Sequence, residues 1–432
     1  MRVLLIAENR QTTHLAAFPL GAACVAGSLR KAGHEVSVLD MMFLGDWEEK
    51  LRAALTDFRP GVISLSIRNL DNQDSRNTVF YLDGLTGIIR SCRERSAAPV
   101  VLGGAGFNIH PAGCLQYLGA DLGVFGEGEK AFTRLLAALE RGESISRLPG
   151  AVRMEGGRAV VNPPDFIADL DEWVRPSYDD FEVSSYQDYS SGTMPGCVTV
   201  QSKRGCHMKC IYCSTPFTEG TCCRARKIED VVGEMAYLNE RRGIRRFFLA
   251  DNVFNFPLSN AKDFCRGVIK SGLSIEWQAI MNPAYGDDEL FGLMRRAGCV
   301  FMSLGNESGA EPVLRNLKKG FTLKKVREMA ALARRHDIKY SGFLLLGGPG
   351  EDRDTVRRSV EFMEELAPAV VSMKAGIRIY PGTGLEKIAR EEEQVAPGQD
   401  LLFPAFYMSP AIREWIWDYL DETCRTHERW SV

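Results

Sequence analysis

Short aliphatic and β-branched runs, each followed by a stretch with apolar residues at helical spacing, recur along most of this chain. That alternation admits few folds, because each strand must be buried by the crossover helix that follows it. In the first third the runs are Val3 to Ala7, Glu35 to Leu39, Gly61 to Ile67, Pro99 to Gly103 and Asp121 to Phe125. Gly21 to Ala32 and Trp47 to Phe58 carry small or apolar residues where crossover helices need them. The pattern predicts an α/β fold with an open, doubly wound parallel sheet of flavodoxin type. From Cys197 the rhythm resumes, with strands predicted over Cys197 to Ser202, Arg245 to Ala250, Ile275 to Ile280, Val300 to Leu304, Lys339 to Leu346 and Val370 to Arg378. These strands, with helices between them, predict a partial (β/α)6 barrel. Between the two series, Pro149, Gly156, Gly157, Pro163, Pro164 and Pro176 mark a junction with a small hairpin over Ala151 to Val161. The tail predicts one helix, Pro410 to His427. The expected division is therefore 1–146, a linker over 147–194, a barrel over 195–385 and a helical tail over 386–432.

A formal charge of −3 gives no basic surface for nucleic acid or an anionic membrane, so a small-molecule, lipid or peptide substrate is expected instead. No apolar run reaches the roughly 18 residues that a membrane span needs, and the amino terminus passes straight into a strand pattern. The chain is thus expected in the cytoplasm, where its 12 cysteines read as metal or redox chemistry before disulfides.

The run Arg204-Gly-Cys-His-Met-Lys-Cys-Ile-Tyr-Cys213 sets Cys206, Cys210 and Cys213 on one loop after a predicted strand. Three thiolates at that spacing suit three irons of a cubane, leaving the fourth iron open to chelation by a substrate's amino and carboxylate groups. A zinc knob completed by Cys197, Cys222 or Cys223 is the competing reading, but zinc sites usually show two C-x2-C pairs and only one occurs here. Cys222 and Cys223 are read as structural.

With Tyr212 before its last cysteine, this motif resembles the radical S-adenosylmethionine (SAM) superfamily. The resemblance implies a [4Fe–4S] cluster and a SAM site at the carboxyl ends of the barrel strands. It implies that Tyr212 packs near adenine, that Asp251 and Asn252 hold the amino acid end of SAM, and that Glu307 and Ser308 reach the ribose. Gly347, Gly348 and Gly350 are expected to let the backbone approach the ligand, and Arg378 to hold SAM or a substrate carboxylate. Where many relatives carry an arginine after the third strand, this chain offers Gln278 and Asn282.

Further polar and glycine-rich segments fall at strand ends of the first sheet: Pro19-Leu20-Gly21, Ser64 to Asn69, Gly103-Gly104-Ala-Gly106 and Gly126-Glu127-Gly128-Glu129. Together they resemble the cobalamin-binding domain fused to one large class of radical SAM enzymes. Leu20, Gly21, Ser64, Ser66, Arg68, Asn69, Gly103, Gly104, Gly126, Glu127, Gly128 and Glu129 are the residues this likeness assigns to the corrinoid. The bland alternative is a flavodoxin-like domain that only docks or binds another nucleotide. No Asp-x-His-x-x-Gly motif is present, so base-off cobalamin without a histidine ligand is expected, with Arg68 or Asn69 at the lower cobalt face and His14 as a plain loop residue.

The resemblance implies a methyltransferase acting on an unactivated carbon, by a 5′-deoxyadenosyl radical and methylcobalamin, with an electron donor such as flavodoxin or ferredoxin. Cyclisation or rearrangement without net methyl transfer is the alternative within the same class, and a corrinoid or iron–sulfur sensor the one outside it. Because the cofactors carry the hard chemistry, no protein acid or base is nominated as catalytic.

Overall fold

The computed structural model describes residues 1–12, 16–172, 174–190 and 195–432, so His14 lies outside the described residues. The chain divides into two units. One is Met1–Asn72 with Phe80–Thr199 and Pro216–Gly220; the other is Gln73–Val79 with Val200–Thr215 and Thr221–Val432.

The first unit is built on β1 (Arg2–Ala7), β2 (Glu35–Asp40), β3 (Val62–Ser66), β4 (Val100–Gly103), β5 (Leu122–Val124), β6 (Ala151–Glu155) and β7 (Arg158–Val161). Their order is β2-β1-β3-β4-β5-β6-β7. The first five strands pair in parallel, and β6 and β7 close the edge antiparallel. β1 is almost wholly apolar, with Val3 to Ala7 buried, because a central parallel strand is covered on both faces. The helix Trp47–Phe58 begins where Asp46 accepts the Glu49 N–H at 3.0 Å, and first-turn Glu48 and Glu49 complement its dipole. The predicted hairpin over Ala151 to Val161 is present, but it extends this sheet: Val124 pairs with Ala151, and Ala151 and Val152 are buried.

β1 has β2 on one side and β3 on the other, so the connections part between β1 and β3 and leave a crevice at their carboxyl ends. The chain after β4 is pressed onto the chain after β3. Gly104 has φ of +99°, a Cβ there would stand 2.4 Å from the Ile67 carbonyl oxygen, and the Gly106 N–H donates to that same oxygen at 2.9 Å. Only glycine allows that approach.

The second sheet contains β8 (Val198–Val200), β11 (Arg246–Leu249), β12 (Glu276–Met281), β13 (Cys299–Glu307), β14 (Lys339–Leu346), β15 (Val370–Ala375) and β18 (Trp430–Ser431), in the order β18-β15-β14-β13-β12-β11-β8. Two short antiparallel pairs flank it, β9 (Lys203–Arg204) with β10 (Arg224–Ala225) and β16 (Ile377–Arg378) with β17 (Phe406–Tyr407). The sheet ends in two different strands and so stays open, as a partial barrel does. Two details depart from expectation. The predicted strand Val370 to Arg378 breaks at Gly376, and the tail, beyond its helix Ile416–Thr426, adds β18 in parallel to β15.

Gly104→Ala should destabilise the first unit by about 2–4 kcal/mol, since both backbone strain and a main-chain clash must be relieved. Gly87→Ala, in the helix Leu82–Arg95 with nothing within 4 Å of its added Cβ, should be neutral or stabilising. Denaturant unfolding of both variants checks this; equal stability would show that the contact between the two loops yields freely.

Candidate functional site

In the second unit the cysteine loop follows β9 and has no regular structure, so its shape rests on anchors. Ile211 is the main one: its N–H donates to Leu317 O at 3.2 Å, its carbonyl accepts from Leu385 N at 2.8 Å, and its side chain is buried among Val313, Leu317, Ile377 and Leu385. Cys206, Cys210 and Cys213 are half-buried free thiols on either side of it. Among the described residues no three His, Cys, Asp or Glu side chains are close enough to hold one metal ion. A zinc knob needs that close set, whereas a cubane takes one thiolate on each of three irons and spaces them more widely.

Burial raises Cys206 and pushes the Cys210 thiol up to about 11; Lys319 acts against both shifts. Burial thus favours the protonated form of Cys206 and Cys210, and a metal that binds them must displace those protons. Cys213 Sγ donates to Thr215 Oγ1 at 3.3 Å, and Thr215 Oγ1 donates to Asn252 Oδ1 at 3.0 Å, which ties the end of β11 to the loop.

Behind the loop stands a buried polar group. Tyr212 Oη donates to Glu307 Oε1 at 2.9 Å, and Lys319 Nζ donates to Glu307 Oε1 at 2.9 Å and to Tyr212 Oη at 3.0 Å. Glu307 sits at a break in the β13–β14 register with φ of +65°, and its Oε2 is buried without a partner among the described residues. A buried acceptor in that state is a place for a ligand hydroxyl or ammonium. Lys319 has no motif around it and was invisible in the sequence.

Several residues expected to touch SAM also make contacts within the protein. Asp251 is fully buried and accepts from Ser202 N at 2.7 Å, Lys203 N at 3.0 Å and the Ser202 hydroxyl, so it fastens the chain after β8 to the end of β11. Ser308 bonds Ser359 at 3.1 Å and accepts from Ala310 N. Arg378 donates to the carbonyls of Ile379, Leu401 and Leu402. The glycine turn is held from within: Gly347 N and Gly348 N donate to Glu351 Oε2 at 2.5 and 3.0 Å. At Gly347, with φ of +94°, an added Cβ would meet Met408 Sδ at 2.7 Å; at Gly350 it would meet Asn316 Nδ2 at 2.7 Å. These two glycines make room for protein rather than ligand. Gln278 is buried on β12.

In the first unit the crevice end of β1 and β3 holds a second polar group. Glu8, 8% exposed, accepts the Arg68 N–H at 3.0 Å. With its amide oxygen turned toward Arg68, Asn69 accepts from Arg68 Nη1 at 2.9 Å. The Arg68 side chain is solvent-accessible, and Asn9 Nδ2 is buried without a partner among the described residues. Burial lifts Glu8 from 4.5 to about 7 despite the pull of Arg68 and Arg10. Leu20 and Gly21 open the helix Leu20–Lys31, and nothing lies within 4 Å of an added Gly21 Cβ. Ser64 is buried within β3, while Ser66 at its end is half-buried. Gly103 ends β4. Gly126 is clasped by Asn108, which bonds both its N–H and its carbonyl (3.0 and 3.1 Å). Glu127 Oε2 accepts from Ile167 N at 2.5 Å and so anchors the proline-rich segment; Gly128 and Glu129 begin the helix Gly128–Arg141. Glu8, Asn9 and Asn108 were missed; the polar pair that follows the apolar β1 was the signal for the first two.

Residues 10–136 match the B12 binding domain and residues 200–363 the Radical SAM superfamily, about two thirds of the chain between them. The tryptophan 2-C-methyltransferase of Streptomyces laurentii is 28% identical over 90% of this chain and 74% of its own length. An anaerobic magnesium-protoporphyrin IX monomethyl ester cyclase of Synechocystis is 27% identical over 74% of this chain and 62% of its own. The structure of the radical SAM methyltransferase TsrM from Kitasatospora setae with tryptophan and a SAM analogue superimposes with a TM-score of 0.84 at 25% identity, covering 99% of this chain and 90% of that one.

Because the raised Glu8 binds more protons folded than unfolded between 4.5 and about 7, its cost to stability is absent below that window and full above it. Glu8→Gln should therefore stabilise the ligand-free protein by up to about 3 kcal/mol at pH 8, and far less near pH 5. Thermal midpoints of both proteins at the two pH values test this, and a difference that does not change with pH would show that Glu8 titrates normally.

Proposed function

We propose that this chain, a cobalamin-dependent radical SAM enzyme by its two matched domains, is a methyltransferase that moves a methyl group from SAM to carbon in a small-molecule substrate. The observation that carries the reading is the cysteine loop backed by Glu307, whose second carboxylate oxygen is buried without a partner among the described residues, in a chain that also bears the crevice at the ends of β1 and β3. When bound, the cluster supplies one electron to SAM and the corrinoid carries the methyl group.

The protein's part is placement. Cys206, Cys210 and Cys213 hold the cluster, with Ile211 setting the loop that presents them. Glu307 Oε2 accepts from SAM, and Tyr212 and Lys319, both hydrogen-bonded to Oε1, keep that carboxylate oriented. Asn252, linked to Cys213 through Thr215, presents polar atoms beside the cluster. In the first unit Arg68 and Asn69, bonded to each other at the end of β3, would be the residues that meet a corrinoid held there without a histidine ligand. A flavodoxin or ferredoxin serves as electron donor. Among the described residues no helix is long and apolar enough to cross a membrane.

The cyclase relative supports a second outcome, ring formation from the same radical start. Methyl-deuterated SAM separates the two. With reconstituted enzyme, a reductant, cobalamin and L-tryptophan as the first probe, label should pass to the corrinoid and then to any substrate accepted. A product formed without label would end the methyltransferase reading. Cys206→Ala, Cys210→Ala and Cys213→Ala should each lose the cluster's iron and sulfide; full retention in any of them would remove that cysteine from the ligand set.

A further inference from the structure

In the second unit the cysteine loop and the chain after β13 run side by side. Leu317 O accepts the Ile211 N–H at 3.2 Å, and a Cβ on Gly320 would stand 3.1 Å from Met208 Cε. Lys209 lies between Met208 and Ile211, and Lys318 and Lys319 lie between Leu317 and Gly320. Lys319 is buried and pairs with Glu307. Lys209, Lys318 and the nearby Arg315 are exposed and form no ion pair among the described residues. Residues 205–213 and 312–323 contain no Asp or Glu at all. The two segments thus present a local excess of positive charge on a chain whose formal charge is −3.

The backbone singles out Lys318 as well. The helix Glu311–Asn316 stops where Lys318 N donates to Arg315 O and Lys319 N to Leu314 O, both at 3.0 Å, and Lys318 has φ of +56°. Glycine is the residue such a helix stop favours, because a Cβ is strained in the left-handed region. Lys318 offsets that strain with no side-chain hydrogen bond or ion pair among the described residues, which points to a use for its charge outside the chain. Arg315 also suits the last turn of its helix; Lys209 and Lys318 have no such role.

A cluster on this loop takes its electron from outside, and the chain as a whole repels an acidic carrier while this face attracts one. Redox encounters are small and brief, so steering by a few cations serves where a large apolar contact is not needed. We infer that Lys209, Arg315 and Lys318 form the docking face for a small acidic one-electron carrier protein. One electron leaves the carrier and enters the cluster, with no bond formed or broken. The inference rests on the reading of the loop as a [4Fe–4S] site.

The test follows reduction of the reconstituted holoenzyme by an acidic, reduced flavodoxin in stopped flow, and equilibrium binding of the oxidised flavodoxin, each at low and high salt. Wild type should bind and be reduced at low salt and lose both as salt screens the charges. In the triple variant Lys209→Glu, Arg315→Glu, Lys318→Glu the low-salt rate constant should fall about tenfold and binding should weaken with it. Reduction by photoreduced deazariboflavin, a small uncharged reductant that needs no docking, should keep its wild-type rate. The double variant Arg315→Glu, Lys318→Glu leaves the cysteine loop intact and should shift in the same direction, so the test stands even where the triple variant holds less iron. Arg241→Glu, Lys270→Glu, Arg296→Glu makes the same change of charge at the carboxyl ends of three outer helices, the opposite end of the parallel strands, and should behave as wild type. Unchanged binding and rate in both face variants overturn the proposal, as does an equal loss in the control variant or a loss shared with deazariboflavin. Wild type that holds no iron and sulfide would sink the reading of the loop rather than this inference.

Discussion

The second unit depends on one residue bonded in two directions. Ile211 has both main-chain groups tied to other elements, its N–H to Leu317 and its carbonyl to Leu385, and its side chain is buried between them. Arg204 closes β9, and the stretch from Gly205 to Cys213 beyond it holds no helix or strand, so its path is set by contacts such as those of Ile211, Tyr212 and Cys213. The consequence reaches further than the cysteines. Leu317 leads directly to Lys319, and Leu385 begins the turn after Thr383, so the polar group behind the loop and the carboxyl end of the sheet are referenced to the same point.

Some buried charges in this protein are turned onto its own backbone, and residue type alone does not single them out in the sequence. Asp251 and Glu127 each turn a carboxylate onto a main-chain N–H of a segment distant in sequence, and Glu351 does the same within its own glycine turn. Arg378 does the mirror image with carbonyls. A carboxylate at a strand end has the same chemistry toward a backbone amide as toward the ammonium of a ligand, so residue type and position do not separate brace from ligand contact. Asp251 has both oxygens engaged by the protein; Glu307 and Glu351 each keep one carboxylate oxygen buried without a partner among the described residues, so an unused acceptor does not by itself separate the two.

Much of the architecture was nonetheless legible. The alternation of apolar strand and amphipathic helix placed the helix Trp47–Phe58 to the residue and the first five strands to within a residue or two, because burial on both faces demands continuous aliphatic runs. Cysteine spacing carried the cluster site for a different reason: a tight loop leaves little freedom in where three thiols can point. The features that escaped have weak local signals. Lys319 is one lysine among several. β18 is two residues long, and Gln73–Val79, though it lies between β3 and the helix Leu82–Arg95 in sequence, belongs with the second unit. That membership rests on particular contacts: Arg76 pairs with Asp421 through two hydrogen bonds of 2.7 and 2.8 Å, and the Ser75 hydroxyl donates to Ala375 O. No periodicity announces a loop whose partners lie some three hundred residues away.

The glycines make the same point in the opposite sense. A glycine-rich turn after a strand invites a ligand reading because a missing Cβ leaves space. At Gly104, Gly347 and Gly350 that space is filled by Ile67, Met408 and Asn316 of the protein itself. Gly21, by contrast, has open space where its Cβ would be. Both units thus use glycine first to let loops at the carboxyl ends of parallel strands pack against one another, and only then to receive a ligand. The order is physically necessary. A cofactor gains from backbone close to it only if that backbone is already held, and in each unit the holding is done by a loop pressed into the gap of its neighbour.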